Sequence, residues 1–262
     1  MKSLNLQLRL FLFKQCIYMK FDFDIIVVGS GHAGCEAAAA AANLGSSTLL
    51  ITHDLTKIAN MSCNPAIGGI AKGQIVREID ALGGYTGIIT DKSSIQFRML
   101  NMSKGPAMWS PRSQCDKAKF SLYWREQLEQ LDNLSFWQDS VNELIISDNT
   151  VCGVKTKQGV SFTSKAVILT AGTFLNGLIH IGSVNYSGGR MADSASSGIT
   201  EQLSSLGITV GRMKTGTPVR IDGRTIDYSR VEEQVTENLP YKCSYLPISN
   251  KQQKQLPCYI TY

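Results

Sequence analysis

A buried apolar run ended by glycine, a GxGxxG loop opening an alanine-rich helix, and a later change from helical to alternating periodicity predict an α/β fold. Its expected form is a Rossmann-like parallel sheet carrying an antiparallel three-stranded meander, followed by the start of a second, insertion domain. The 262 residues leave room for one large domain or two modest ones, and a hydrophobic fraction of 43% supports a core and excludes a disordered chain. Charged residues make up 18% and the net charge is +5, too dilute for an architectural nucleic-acid binder but compatible with a polyanionic substrate. The 7 cysteines include no CxxC pair, and their odd count argues against a closed disulfide framework, so a reducing, cytoplasmic setting is expected. The apolar stretch near the start is far short of the roughly 20 residues a membrane span needs, and no membrane association is expected.

Residues 1–18 carry Lys2, Arg9 and Lys14 without an acidic residue. They imitate a targeting peptide but lack a small-residue cleavage site, and are set aside as an extension outside the fold. The first domain is expected over residues 19–210. Asp24–Gly29 (DIIVVG) suits a strand buried on both faces of a parallel sheet. The loop Gly29, Ser30, Gly31, His32, Ala33, Gly34 matches GxGxxG and leads into Cys35–Leu44, a helix stopped by Gly45. Its glycines let the backbone turn tightly and approach a diphosphate, whose charge meets unpaired N–H groups and the positive end of the helix dipole. Thr48–Thr52 supplies the second parallel strand. The acidic residue expected there for a ribose hydroxyl is missing: Thr52 and His53 occupy its place, and Asp54 comes late. His32 is either a proton donor or a loop residue whose backbone does the binding.

The glycine-rich loop Ser62–Gly73 opens a helix over Gln74–Leu82 and carries Cys63, with Lys72 nine residues on. The residue types admit a nucleophilic thiolate or a small buried hydrophobe. Residues 96–114 hold Arg98, Lys104 and Arg112 among Phe97 and Trp109, which suits either a phosphate cradle or a solvated face over a packed tryptophan. A helix is predicted from Asp116 to about Gln130, with Ala118, Leu122, Leu128 and Leu131 marking its apolar face. Val141–Ser147, Thr150–Thr156 and Val160–Thr163 form the meander around the turns Asp148-Asn149 and Lys157–Gly159. Ala166–Thr170 returns as another buried strand, and Asp193–Leu206 is predicted helical. This chain order resembles the two-dinucleotide flavoprotein fold of glutathione reductase and favours FAD over free NAD as the first ligand. From residue 211 a second, incomplete domain is expected, because no glycine follows Gly223 while tyrosine and proline concentrate.

Several longer motifs carry a more specific resemblance: GSGHAGCEAA (29–38), MSCNPAIGGIAKG (61–73), IQFRMLNMSKGPA (95–107), GTFLNGLIHIG (172–182), NYSGGR (185–190), GRMKTGTPVRIDGRTIDYS (211–229) and PCYIT (257–261). In this order they resemble the MnmG/GidA family of tRNA-modifying enzymes from about Phe21 onward. The resemblance implies an FAD-dependent enzyme that adds a carboxymethylaminomethyl or aminomethyl group at C5 of the wobble uridine of tRNA. It also implies NADH and methylenetetrahydrofolate as co-substrates, a homodimer, and the GTPase MnmE as partner. Gly29 through Gly34 become the FAD diphosphate loop, Val141 and Ser196 match family positions that contact FAD, and Cys63 matches a cysteine with a proposed catalytic role. No metal is implied. Family members are more than twice as long, so the chain is expected to be their N-terminal portion, ending within a strand-rich insertion. Two alternatives stand beside this: a catalytically inactive fragment keeping the fold core, and a related folate- and FAD-dependent tRNA uridine methyltransferase.

Overall fold

The apolar run Ile25–Val28 ends a central strand, β1 (Phe21–Val28), in which Ile26 and Val27 are fully buried and Ile25 and Val28 half-buried. The computed structural model describes residues 21–237, 239–247 and 254–261. The extension at residues 1–18 lies outside them. In chain order β1 is followed by α1 (His32–Asn43), β2 (Thr48–Thr52), β3 (Ala66–Gly68), α2 (Gly73–Ala81), α3 (Thr86–Ser93), β4 (Ser94–Leu100), β5 (Ser110–Cys115) and α4 (Lys117–Glu129). Then come β6 (Leu134–Gln138), β7 (Val141–Ser147), β8 (Thr150–Thr156), β9 (Ser161–Leu169), β10 (Leu178–Ile181), β11 (Val184–Ser187), α5 (Ile199–Ser205), β12 (Glu232–Gln234) and β13 (Cys258–Ile260).

The contacts divide the chain into two units. The first comprises the described part of Met1–Thr56 with Leu131–Arg212, and the second Lys57–Gln130 with Met213–Tyr262. Linear order suggested a boundary at residue 210. The contacts instead join the segment that leaves after β2 to the segment that follows Arg212.

The first unit is a sheet of order β6-β2-β1-β9-β8-β7. β1 pairs in parallel with β2 and β9, β2 with β6, and β8 runs antiparallel to both β7 and β9. This is the Rossmann-like α/β arrangement with its meander. The meander's third strand and the returning strand, expected as two pieces, are one: β9 pairs with β8 through Ser161–Thr163 and with β1 out to Leu169; its returning half is not the buried strand expected, since Ala166 is exposed and Val167–Leu169 are half-buried. Ser164 and Lys165 bring neither glycine nor proline, and the extended backbone runs on through them from Ser161 to Leu169. The hairpin between β7 and β8 turns on Asp148 and Asn149, both left-handed at φ 49° and 58°. Ile26, Leu49, Ile51, Val141, Leu144, Val154, Phe162 and Ile199 form one buried cluster. The predicted helix Asp193–Leu206 shrinks to α5, because Arg190 and Asp193 form an isolated bridge and Gly198 takes φ 103°. Glu201 accepts from the Gly198 N–H at 2.9 Å and closes the first turn of α5.

In the second unit β3, β5 and β4 make a small antiparallel sheet beside α2, α3 and α4. Asp116 caps α4 by accepting from the N–H groups of Ala118 and Lys119 at 3.0 and 3.1 Å. The buried stripe of α4 is Phe120, Trp124 and Leu128, at i, i+4, i+8, and not the expected Ala118 and Leu122, of which Leu122 is 51% exposed. The tryptophan and phenylalanine rings carry more apolar area than leucine and win the inward position. Two carboxylates fasten the later segment to the helices. Asp91 accepts from the N–H groups of Cys243 and Ser244 at 3.0 and 2.8 Å, and Asp80 from that of Tyr245 at 2.8 Å. Burial pushes the Asp91 carboxyl up to about 6, against the opposing pull of those two backbone donors. Burial likewise raises the Cys243 and Cys115 thiols, the latter to about 11. Among the described residues no helix is long and apolar enough to cross a membrane.

Candidate cofactor-binding site

The residues at 29–34 sit where β1 ends and α1 begins, at the carboxyl edge of the parallel strands, the usual ligand edge of such sheets. Each glycine has a different steric role. Gly29 takes φ 101°, and a Cβ there would lie 2.7 Å from the Thr170 carbonyl oxygen. A Cβ on Gly34 would lie 1.8 Å from the Gly29 carbonyl oxygen, so α1 packs against the turn through bare backbone. A Cβ on Gly31 would meet nothing within 4 Å. The first and third glycines are therefore demanded by the fold, whereas the second leaves backbone open to an incoming group. Gly31 is the N-cap of α1 and no side chain caps that end, so the positive end of the helix dipole lies at the loop.

The rest of the loop is fastened from behind. Ser30 is buried and donates through Oγ to Thr52 Oγ1 at 2.7 Å, tying the loop to the end of β2. Cys35 Sγ donates to the Ser30 carbonyl at 3.3 Å, and the Gly29 N–H to the Ile51 carbonyl at 2.8 Å. From the other side Thr170 Oγ1 donates to the carbonyls of Val28 and Gly29 at 2.8 and 3.0 Å. His32 and Ala33 lie in the first turn of α1.

Val141 and Ser196, far apart in sequence, are brought together: Ser196 Oγ donates to the Val141 carbonyl at 3.1 Å. The Ser196 N–H donates to the Phe174 carbonyl at 2.8 Å. Phe174 belongs to a stack that joins three separate stretches of the chain. Its ring lies 4.7 Å from that of His53, and the Arg190 guanidinium carbon lies 5.1 Å from its centroid. Arg190 Nε pairs with Asp193 Oδ2 at 3.0 Å, the two side chains being 18% and 8% exposed. The signal for the stack was the glycine pair in NYSGGR, since a Cβ on Gly189 would lie 2.1 Å from a Phe174 ring carbon.

Cys63 belongs to the second unit and is exposed. Its Sγ lies 3.9 Å from Thr217 Oγ1, and Arg220 donates to the carbonyls of Ser62 and Cys63, so the motifs at 61–73 and 211–229 meet there. Of the basic residues in 96–114, Arg98 is ion-paired to Glu237 at 2.7 Å and stands opposite Arg112 in the β4–β5 register. Paired strands thus replace most of the expected loop.

The family model of glucose inhibited division protein A matches residues 24–262. The chain is 65% identical over 244 residues to the tRNA uridine 5-carboxymethylaminomethyl modification enzyme MnmG of Parabacteroides distasonis, an overlap covering 93% of this chain and 39% of that relative. To the enzyme of the same name from Phocaeicola vulgatus it is 61% identical with the same coverage. The solved structure of Aquifex aeolicus GidA in its form II crystal superposes with a TM-score of 0.86 at 44% identity, over 91% of this chain and 40% of that one. A GidA-related protein from Thermus thermophilus shares the fold at a TM-score of 0.52 and 22% identity, over 71% of this chain and 68% of that one. The chain thus spans about two fifths of the length of the curated relatives it matches. With its Rossmann-like sheet and glycine loop in place, it belongs to the glucose inhibited division protein A (MnmG/GidA) family.

Proposed function

We propose that this chain is the flavin-holding part of an FAD-dependent enzyme that modifies C5 of the wobble uridine in tRNA. The observation that carries the reading is the steric division of labour in the loop: Gly29 and Gly34 are packed while Gly31 stands open. A diphosphate fits that opening, with the backbone N–H groups of the α1 N-terminus to receive its charge. Gly29, Ser30, Gly31, His32, Ala33 and Gly34 would hold the FAD diphosphate, and Val141 and Ser196 would bound the same site. Bound FAD supplies redox chemistry for the transfer.

On this reading Cys63 is the nucleophile. Its thiolate would add at C6 of the uracil, pushing the C5–C6 π pair to C5 as an enolate that takes the one-carbon unit; loss of the C5 proton would then expel the thiolate and restore the double bond. Methylenetetrahydrofolate would supply that carbon and NADH the electrons. The exposed Cys63 Sγ is open to a ring approaching from solvent, beside the Thr217 hydroxyl. A homodimer working with the GTPase MnmE in the cytoplasm completes the proposal, which takes its support from the relatives' names and the shared motifs.

The test is a titration of the purified chain with FAD, followed by flavin absorbance and thermal protection. The chain is expected to be weakly loaded as purified and to show saturable binding and a raised melting temperature with excess FAD. Absence of both spectral change and protection overturns the reading.

A further inference from the structure

The segment around Lys242 carries two tyrosines into solvent, and the second unit holds both of them in place. Tyr241 is 40% and Tyr245 62% exposed. The Tyr241 ring lies 5.5 Å from that of Trp109 at an interplanar angle of 67°, and Trp109 is itself fixed, its Nε1–H donating to the Met102 carbonyl at 3.2 Å. The Arg77 guanidinium lies 3.8 Å from the centroid of the Tyr245 ring and donates to the Lys242 carbonyl. Between the two rings the backbone is tied as well. Asp91 accepts from Cys243 and Ser244, Asp80 from Tyr245, and the Cys243 side chain is fully buried as an anchor. A surface ring ordinarily keeps its rotamer freedom, so rings braced from below and left open above are prepared for a partner, whose binding then orders little.

Charge indicates which partner. Gln74 Nε2 donates to the Trp109 carbonyl at 3.2 Å and Ser110 Oγ to the Gly69 carbonyl, which joins residues 69–81, 101–110 and 239–247 into one patch of the second unit. These stretches carry Lys72, Arg77, Lys104 and Lys242 against Glu78 and Asp80, and Asp80 is buried. Flat exposed rings beside a surplus of cations suit single-stranded RNA, whose bases stack on aromatic faces while its phosphates meet lysine.

We infer that Tyr241 and Tyr245, backed by Trp109 and Arg77, form a stacking platform for unpaired bases of an RNA loop, with the exposed Lys72 and Lys104 meeting its phosphates. This rests on the tRNA reading above and deepens it, and is independent of the flavin. Gly69, at the edge of the patch, follows Cys63 by six residues, at most roughly 20 Å of chain. One RNA loop can therefore reach both the platform and the thiol.

The experiment uses the full chain and a fluorophore-labelled, unmodified anticodon stem-loop RNA, titrated by fluorescence anisotropy over a range of salt, with fully paired RNA of equal length as comparison. The proteins are wild type, Tyr241→Leu, Tyr245→Leu, Tyr245→Trp and Lys104→Ala. Circular dichroism and melting temperature check that each is folded, and FAD titration follows the first unit separately. Wild type is expected to prefer the stem-loop to the duplex. Each leucine variant is expected to lose roughly tenfold in affinity for the stem-loop with its salt slope and FAD binding unchanged, while Tyr245→Trp keeps wild-type affinity. Lys104→Ala is expected to flatten the salt slope by about 0.7. Wild-type RNA affinity in the folded leucine variants overturns the platform and leaves the tRNA reading standing. If those variants instead lose self-association in sedimentation and bind RNA as wild type does, the rings belong to an interface between copies and the inference is overturned. If wild type does not bind the stem-loop, this chain's part in the tRNA reading fails and the platform with it, while the FAD titration decides the flavin reading on its own.

Discussion

The two units solve the same problem with different chemistry. In the first, the interior is apolar strand packed on apolar strand, and all five residues of β2 are buried without a charge among them. In the second, the helices hold the returning segment through carboxylates: Asp80 and Asp91 accept three successive backbone N–H groups, and Arg77 donates to the Lys242 carbonyl while lying 3.8 Å over the Tyr245 ring. Apolar burial is insensitive to pH, whereas a desolvated carboxylate is not. The second unit therefore carries Cys63 on a frame in which burial has raised a carboxyl, Asp91, whereas in the first unit hydrogen-bond partners hold the Asp24 and Glu201 carboxyls below the usual range.

Substitutions sharpen that contrast. The largest effect is expected in the second unit from Trp124→Ala, which empties a fully buried ring site in α4. A loss of about 3–5 kcal/mol in urea-induced unfolding is expected, and a loss below about 1 kcal/mol would show that the unit does not depend on this ring. In the first unit Gly34→Ala drives a Cβ into the Gly29 carbonyl oxygen. Backbone must shift there, so a loss of about 2–3 kcal/mol is expected, with Trp137 fluorescence as the local reporter.

The pH dependence discriminates the units directly. The folded carboxyl of Asp91 is raised to about 6 from an ordinary value of 3.8, so the folded state holds its proton more tightly than the unfolded one. Stability of the second unit is then lowest above pH 6 and rises by about 2 kcal/mol as pH falls from 7 towards 4. Asp91→Asn is expected to flatten that slope in unfolding followed by Trp124 fluorescence, while the Trp137 signal from the first unit changes little. Equal slopes in both proteins would remove Asp91 from the account. The smallest effect, under about 0.5 kcal/mol, is expected for Leu122→Ala, since that side chain is half in solvent.

Legibility follows the same division. The β1–α1–β2 unit was readable because its signals are local: an apolar run, three glycines at fixed spacing and an alanine helix need no distant partner to be understood. The Asp148-Asn149 hairpin was readable for the same reason, as its turn chemistry is confined to two residues. Where partners are distant, the reading stopped short. Nothing near Asp80 or Asp91 announces Lys242–Tyr245, and nothing in 57–130 announces that it folds with residues beyond 212. The inner face of α4 is set by ring area and not by apolarity alone: Phe120 and Trp124 take the buried stripe, and Ala118 and Leu122 lie outside it. In the site, the glycine turn was legible as a turn, while the division between packed Gly29 and Gly34 and open Gly31 was not, nor was the His53–Phe174–Arg190 stack, because Gly29 and His53 meet partners far along the chain, after β9.

The central claim is that Gly31 is kept for a ligand and not for the fold, and one variant separates the two. Gly31→Ala adds a methyl group where nothing lies within 4 Å, at an N-cap whose φ of −69° any residue adopts. Titrated with FAD beside wild type, the variant is expected to melt within a few degrees of wild type yet to lose at least roughly tenfold in FAD affinity, or about 1.4 kcal/mol. Wild-type affinity in the folded variant would contradict the account, because the opening at residue 31 would then receive no diphosphate.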